Sequence, residues 1–213
     1  MISMNKKILI SILVGLIILI STFILVSNTL ETQILNLSHE IDFTYSDVEK
    51  IQKSLAEKNI SVSTPAVITD STTDQYCTYF DDTYVKKSVT YCKTSAIITS
   101  GKTIGNLNIG GTSDRPMVAL AIVDSSPFLN SNKDEVAIVF QTIIETLVCD
   151  CWEIRQPGGF ESVSDWLDTA EEKYSESSRN TLKSEINGIN NKRLILEITF
   201  TEKSYLWTLI VLK

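Results

Sequence analysis

Ile8 to Ser27 reads ILISILVGLIILISTFILVS, twenty residues without a charge, with Lys6 and Lys7 immediately before it. At about 1.5 Å of rise per residue, such a run spans a hydrocarbon core of about 30 Å as a helix. A lysine pair on one flank and Glu31 as the first charge on the other orient it with the N-terminus in the cytoplasm. The run exceeds the 7–15 apolar residues of a cleaved secretory signal, and Val26-Ser27-Asn28-Thr29 lacks the small-residue cleavage pattern. An uncleaved signal anchor follows. A single-pass protein of the cell membrane is expected, with everything beyond about residue 30 on the extracytoplasmic side. No cysteine near the start supports a lipid anchor. Within the anchor, Ser11 and Gly15 form one small-xxx-small pair able to seat a neighbouring helix.

The expected divisions are 1–7 as cytoplasmic N-terminus, 8–27 as transmembrane helix, 28–45 as juxtamembrane stalk or helix extension, and 46–213 as one exported domain. Removing Lys6 and Lys7 from the 19 basic residues leaves 17 against 26 acids, so the exported part carries about −9. Without a basic field to gather phosphates, nucleic acid is excluded as a partner, as is a polybasic grip on anionic lipid. The expected partners are the bilayer, through Ile8 to Ser27, and another membrane or envelope protein.

Ser46-Asp47-Val48-Glu49 has the form of a capping box, and Val48, Ile51 and Leu55 share a helical face behind it. Ser61-Val62-Ser63 and Ala66 to Thr69 read as strands bent or held at an edge by Pro65. Tyr76 to Phe80 and Ser88 to Cys92 read as the arms of a hairpin, the second continuing through Ala96 to Thr99. Gly101, Gly105, Gly110 and Gly111 read as turns. Met117 to Val123 is apolar without alternation, as in a strand covered on both faces. Val136, Val139, Phe140, Ile143, Leu147 and Cys151 form a stripe on one long helix from about Asn132 to Glu153. After the break at Gln156-Pro157-Gly158-Gly159, an acidic helix from Ser162 or Ser164 to about Tyr174 is expected, followed by another reaching Ile186. Leu194, Leu196, Ile198 and Phe200, then Tyr205, Trp207, Leu209 and Val211, alternate with other residues on two strands of a C-terminal hairpin. The sum is an α+β domain: an antiparallel sheet with helices packed on one face.

Four cysteines in an exported domain imply disulfides, which four residues can form in three ways. With the hairpin turn centred near Tyr84 and Val85, Cys77 faces Cys92, and that bond is the first expectation. It leaves Cys149 and Cys151 to a mutual bond, should the helix end before Trp152, or to free thiols. The alternative sends Cys77 and Cys92 to Cys149 and Cys151. Cys149-Asp150-Cys151 also suits a soft metal such as Cu(I), or thiol exchange. Residues two apart on a helix point about 200° away from each other, so a continuing helix would separate these thiols. Asn36 and Asn59 head Asn-x-Ser triplets of the glycosylation form.

Other chemistries lack their parts. Ser100-Gly101-Lys102-Thr103 resembles a P-loop tail, but Ala96 stands where that motif needs glycine and the following residues are no helix. The sole histidine, His39, lies in the stalk, and G-x-S-x-G is absent, so nucleophilic serine chemistry has no base. The paired acids Asp81-Asp82 and Glu171-Glu172, with Asp165 and Asp168, have no calcium-loop spacing and read as solvated faces. Trp152, Trp166 and Trp207 read as packing or as the lining of a groove. No cofactor, nucleotide or catalytic residue is expected.

A long apolar N-terminal helix carrying a β-rich head is similar in architecture to type IV pilin-like subunits, and the resemblance implies a filament subunit. The small residue that precedes the apolar run in that family is missing, since Ile8 follows Lys7 directly. The functional expectation is a non-enzymatic, anchored binding module or accessory subunit. The alternatives are an exported thiol-redox or copper-handling protein using Cys149 and Cys151, and a pilin-like subunit.

Overall fold

All pairings between strands are antiparallel in the computed structural model, which describes residues 43–69, 73–77, 89–177 and 179–213. These lie in the compact unit Ile41–Lys213. The expected anchor, most of the stalk with Asn36 and His39, and the Asp81-Asp82 pair lie outside the described residues. Among the described residues, no helix is long and apolar enough to cross a membrane.

The chain runs α1 (Asp47–Ala56), β1 (Ser61–Val62), β2 (Ala66–Ile68), α2 (Thr73–Cys77), β3 (Tyr91–Thr99), β4 (Lys102–Gly111) and β5 (Pro116–Ser125). It continues through α3 (Lys133–Leu147), α4 (Trp152–Arg155), a 3-10 turn at Pro157–Gly159, α5 (Val163–Glu176), β6 (Thr181–Ile189), β7 (Lys192–Phe200) and β8 (Tyr205–Leu212). The sheet order is β1-β3-β4-β5-β8-β7-β6, with β2 also on β3. Two three-strand meanders, β3-β4-β5 and β6-β7-β8, therefore meet through their last strands.

Strand pleating assigns the faces, because successive side chains point to opposite sides. On the near face, Leu107 and Ile109, then Ala119, Ala121 and Val123, then Leu209 and Val211, then Leu194 and Leu196 lie in register across four strands. α3 packs on β5 and β8 and brings Val136, Val139, Phe140, Ile143 and Leu147 into the same cluster. Val48, Ile51 and Leu55 of α1 and Val163, Trp166, Leu167 and Ala170 of α5 complete it. Each large aliphatic buried this way is worth about 1.5–3 kcal/mol. The far face holds a smaller cluster of Cys77, Val89, Cys92, Val118, Leu120, Ile195, Ile210 and Leu212. β5 is accordingly buried on both sides.

Several expectations need correction. Tyr76 and Cys77 are on the short helix α2 rather than on a strand, and Val89 and Thr90 precede β3 without belonging to it. α2 lies in the far-face cluster, so the helices do not all share one face. Its approach depends on Gly110, where a Cβ would stand 2.6 Å from Cys77 Cβ. Gly110 thus lies in β4 rather than in a turn, together with Gly105 and Gly111. Gly101 does turn the chain: Ser100 (φ 48°) and Gly101 (φ 76°) form a two-residue hairpin link of the kind that needs positive φ at both positions.

The capping residues of α1 shift towards its N-terminus. Ser46 makes no side-chain cap; instead the Thr44 amide donates to Asp47 Oδ2 at 2.6 Å and the Asp47 amide to the Thr44 carbonyl at 3.2 Å. The segment expected as a helix reaching Ile186 is β6, whose near-face row of Leu182, Ser184 and Ile186 pairs with Ile198, Leu196 and Leu194. Finally, the long helix stops at Leu147, well short of Glu153.

Candidate functional site

The end of α3 arises from competition between helix continuation and the cysteine pair. Cys149 and Cys151 are bonded to each other, with Cα atoms 5.2 Å apart. A continuing helix would point these side chains apart, so the bond requires the backbone to leave the helix. It does so at Val148: the amides of Val148 and Cys149 both donate to the Ile144 carbonyl, at 2.9 and 3.0 Å. Asn190 Nδ2, from the turn between β6 and β7, donates to the Val148 carbonyl at 2.9 Å, satisfying one acceptor the broken helix leaves free. Cys151, expected on the apolar stripe of the helix, lies instead in the connection to α4.

The two sulfur atoms differ in access. Cys149 is 5% exposed, whereas Cys151 is half-buried and lines a cleft of about 160 Å³. The cleft lies between the end of α3, α4 and the start of α5, and its lining combines the apolar Ile144, Trp152 and Val163 with the acidic Glu145, Asp150 and Glu153. Trp152 Nε1 donates to the Phe160 carbonyl at 3.1 Å, and its ring lies 5.7 Å from that of Trp166, which fixes this wall. Ile154, 86% exposed, stands at the rim.

The other disulfide joins Cys77 to Cys92, with Cα atoms 5.8 Å apart, and both residues are fully buried. The sequence separations of the two bonds are 15 and 2. In the chain-entropy model the first stabilises by about 3 kcal/mol and the second by about half that. Stability therefore accounts for Cys77–Cys92 far better than for Cys149–Cys151.

The remaining candidates resolve into structure. Asp168 and Glu171 of α5 both engage Lys133 at the start of α3, Asp168 at 2.6 Å. Burial would lower the Lys133 pKa, but the two carboxylates outweigh it and raise it. Asp165 belongs to the α5 cap: its amide donates to Ser162 Oγ at 3.0 Å and its carboxylate accepts from the Glu161 amide at 3.1 Å. Trp166 and Trp207 are buried and donate to Ser184 Oγ and the Leu129 carbonyl. Asn59 is exposed at the end of α1, with φ 63°. Among the described residues, no group of three His, Cys, Asp or Glu side chains is placed to hold a metal ion.

A broader concavity of about 750 Å³, lined by Lys102, Asn106, Asp124, Asn132 and Glu135 among others, flanks the β3–β4 turn. Its Asp124 already accepts from Ser204 Oγ at 2.8 Å, and Asn132 Nδ2 donates to the Asp124 carbonyl at 2.7 Å. Among the described residues, two buried side-chain atoms have no hydrogen-bond partner, Asn108 Nδ2 and Ser125 Oγ. Neither residue lines either depression, so both represent a cost to the fold of about 1–3 kcal/mol each. The chain matches no protein-family model, no curated protein and no solved structure.

Proposed function

We propose that the protein is a single-pass, membrane-anchored binding module, held by Ile8 to Ser27, whose α+β domain works on the extracytoplasmic side as an accessory subunit of a membrane or envelope complex. The observation that carries this reading is the pairing of all four cysteines in two disulfides, bonds that persist in oxidising compartments and are rare in the cytosol. The acidic charge of the exported part favours solubility there. Ile154 at the rim of a cleft lined in part by Glu145, Asp150 and Glu153 supplies an apolar anchor point. It suits a partner segment that brings an apolar side chain with Lys or Arg beside it.

Protease treatment of intact cells tests the topology: the domain should be digested from outside while residues 1–7 stay protected. Digestion only after lysis would overturn it. For binding, the partner recovered with the full chain in mild detergent should be lost with Ile154→Asp and retained with Lys203→Asp, a substitution on the remote β7–β8 turn. Equal recovery with both variants would remove the cleft from the reading. N-terminal sequencing addresses the pilin-like alternative, because a mature chain that keeps Lys6-Lys7 has not been processed in that manner.

A further inference from the structure

We infer that Cys149 and Cys151 form a thiol–disulfide exchange site for cysteine-bearing polypeptides, whereas Cys77–Cys92 is a purely structural bond. This goes beyond the binding reading, since it adds a bond-making step at the cleft. Three observations carry it together. First, Cys151 faces the cleft while Cys149 is 5% exposed, so an incoming thiolate has one sulfur to attack and one to expel. Second, the bond closes the loop between residues only two apart, where a disulfide contributes least to stability. Third, the cleft beside Cys151 offers Ile144, Trp152 and Val163, with Ile154 exposed at its rim, an apolar surface for a side chain neighbouring the substrate's cysteine. Cys77 and Cys92, both at 0% exposure, offer an attacking thiolate no approach.

The exchange balances without an outside oxidant. The substrate's first thiolate forms a bond to Cys151 Sγ as the Cys149–Cys151 bond breaks, and that electron pair leaves on Cys149 Sγ, which takes up a proton from solvent. The substrate's second thiolate then attacks the mixed disulfide and expels Cys151 as thiolate, which is also protonated. The substrate dithiol is oxidised by two electrons and the Cys149/Cys151 pair is reduced by two. The reverse exchange with the disulfide of a second protein restores the starting state.

The test uses the purified full chain in mild detergent without denaturant. Under dithiothreitol, followed by alkylation and peptide mass measurement, Cys149 and Cys151 should be labelled at least about tenfold faster than Cys77 and Cys92, as their difference in access requires. Opening of both bonds together would overturn the proposal. Reduced two-cysteine peptides with leucine or with aspartate beside the first cysteine serve as probes. The leucine peptide should be oxidised several-fold faster, one peptide per reduced Cys149/Cys151 pair, and Ile154→Asp should erase the difference. Equal rates for the two peptides on the unaltered chain would overturn the polypeptide assignment. With the oxidised leucine peptide, Cys149→Ala should yield a lasting mixed disulfide on Cys151, and Cys151→Ala far less on Cys149. Equal trapping would overturn the division of roles. An intact Cys77–Cys92 bond in each variant shows that it has folded.

Discussion

At the scale of single residues, Asp47 shows how one carboxylate makes a helix start depend on pH. It is 4% exposed, and burial alone would raise its pKa. Hydrogen bonds from Lys50 Nζ and from the Thr44 amide and hydroxyl, at 2.6, 2.6 and 3.0 Å, reverse the sign and hold it below the usual carboxylate value. A carboxyl depressed in the folded state contributes stability that is complete above its unfolded pKa of about 3.9. That contribution disappears as pH falls through the lower, folded value. The Lys50 hydrogen bond is the largest of the lowering influences, but Lys50 is 72% exposed, so solvent discounts its share of the stability and the Thr44 amide and hydroxyl bonds supply the rest. Asp47→Asn should therefore cost about 1 kcal/mol at neutral pH. It should also flatten the loss of stability below about pH 4, read from urea midpoints across a pH series. A variant whose acid limb stays as steep as that of the unaltered chain would assign the acid sensitivity elsewhere.

At the scale of elements, the legible parts are those whose near-face residues keep an apolar row at one period. In β7 and β8, Leu194, Leu196 and Ile198, then Trp207, Leu209 and Val211, hold one face with no polar intruder, and the hairpin is read directly from them. β6 hides because Ser184 occupies the apolar row between Leu182 and Ile186, where it accepts a hydrogen bond from Trp166 Nε1 at 2.8 Å. The better signal there was Asn190-Asn191, with φ 47° and 56°, a pair suited to a two-residue hairpin turn. The stop of α3 was also available: thiols two apart diverge on a helix, so a bond between them implies a helix that ends. α2 was not legible, because the β-rich residues from Tyr76 onward favour a strand locally and only distant packing decides otherwise. Gly110 is the distant partner. Gly110→Ala places a Cβ 2.6 Å from Cys77 Cβ and 3.0 Å from its carbonyl oxygen. α2 must then move off β4, at a cost of about 2 kcal/mol or more. Gly101→Ala meets open space at φ 76° and should cost only about 1 kcal/mol of backbone strain. Equal midpoints for the two variants in urea would contradict this account of why the helix sits where it does.

At the scale of the molecule, the two meanders are joined along one seam, the antiparallel pairing of β5 with β8 from Val118↔Leu212 to Ser125↔Tyr205. The near face of that seam is covered by α3, whose last turn leads into the Cys149–Cys151 loop. The far face carries the cluster to which Cys77–Cys92 belongs. The two disulfides thus serve opposite faces of the sheet, and they should separate in a stability experiment. Replacing Cys77 and Cys92 together by alanine frees a 15-residue separation and should cost about 3 kcal/mol from chain entropy, with lost packing of two fully buried side chains in addition. Replacing Cys149 and Cys151 together should cost about 1.5 kcal/mol or less, because the loop between them is already short. Tryptophan fluorescence of the full chain in mild detergent through a urea titration follows both, since Trp152 lines the cleft, Trp166 is buried against it and Trp207 lies in the seam. If the Cys149/Cys151 variant loses as much as the Cys77/Cys92 variant, the short bond holds the α3–α5 layer in place. Its role would then be structural, and the contrast in stability that separates an exchangeable bond from a structural one would be gone.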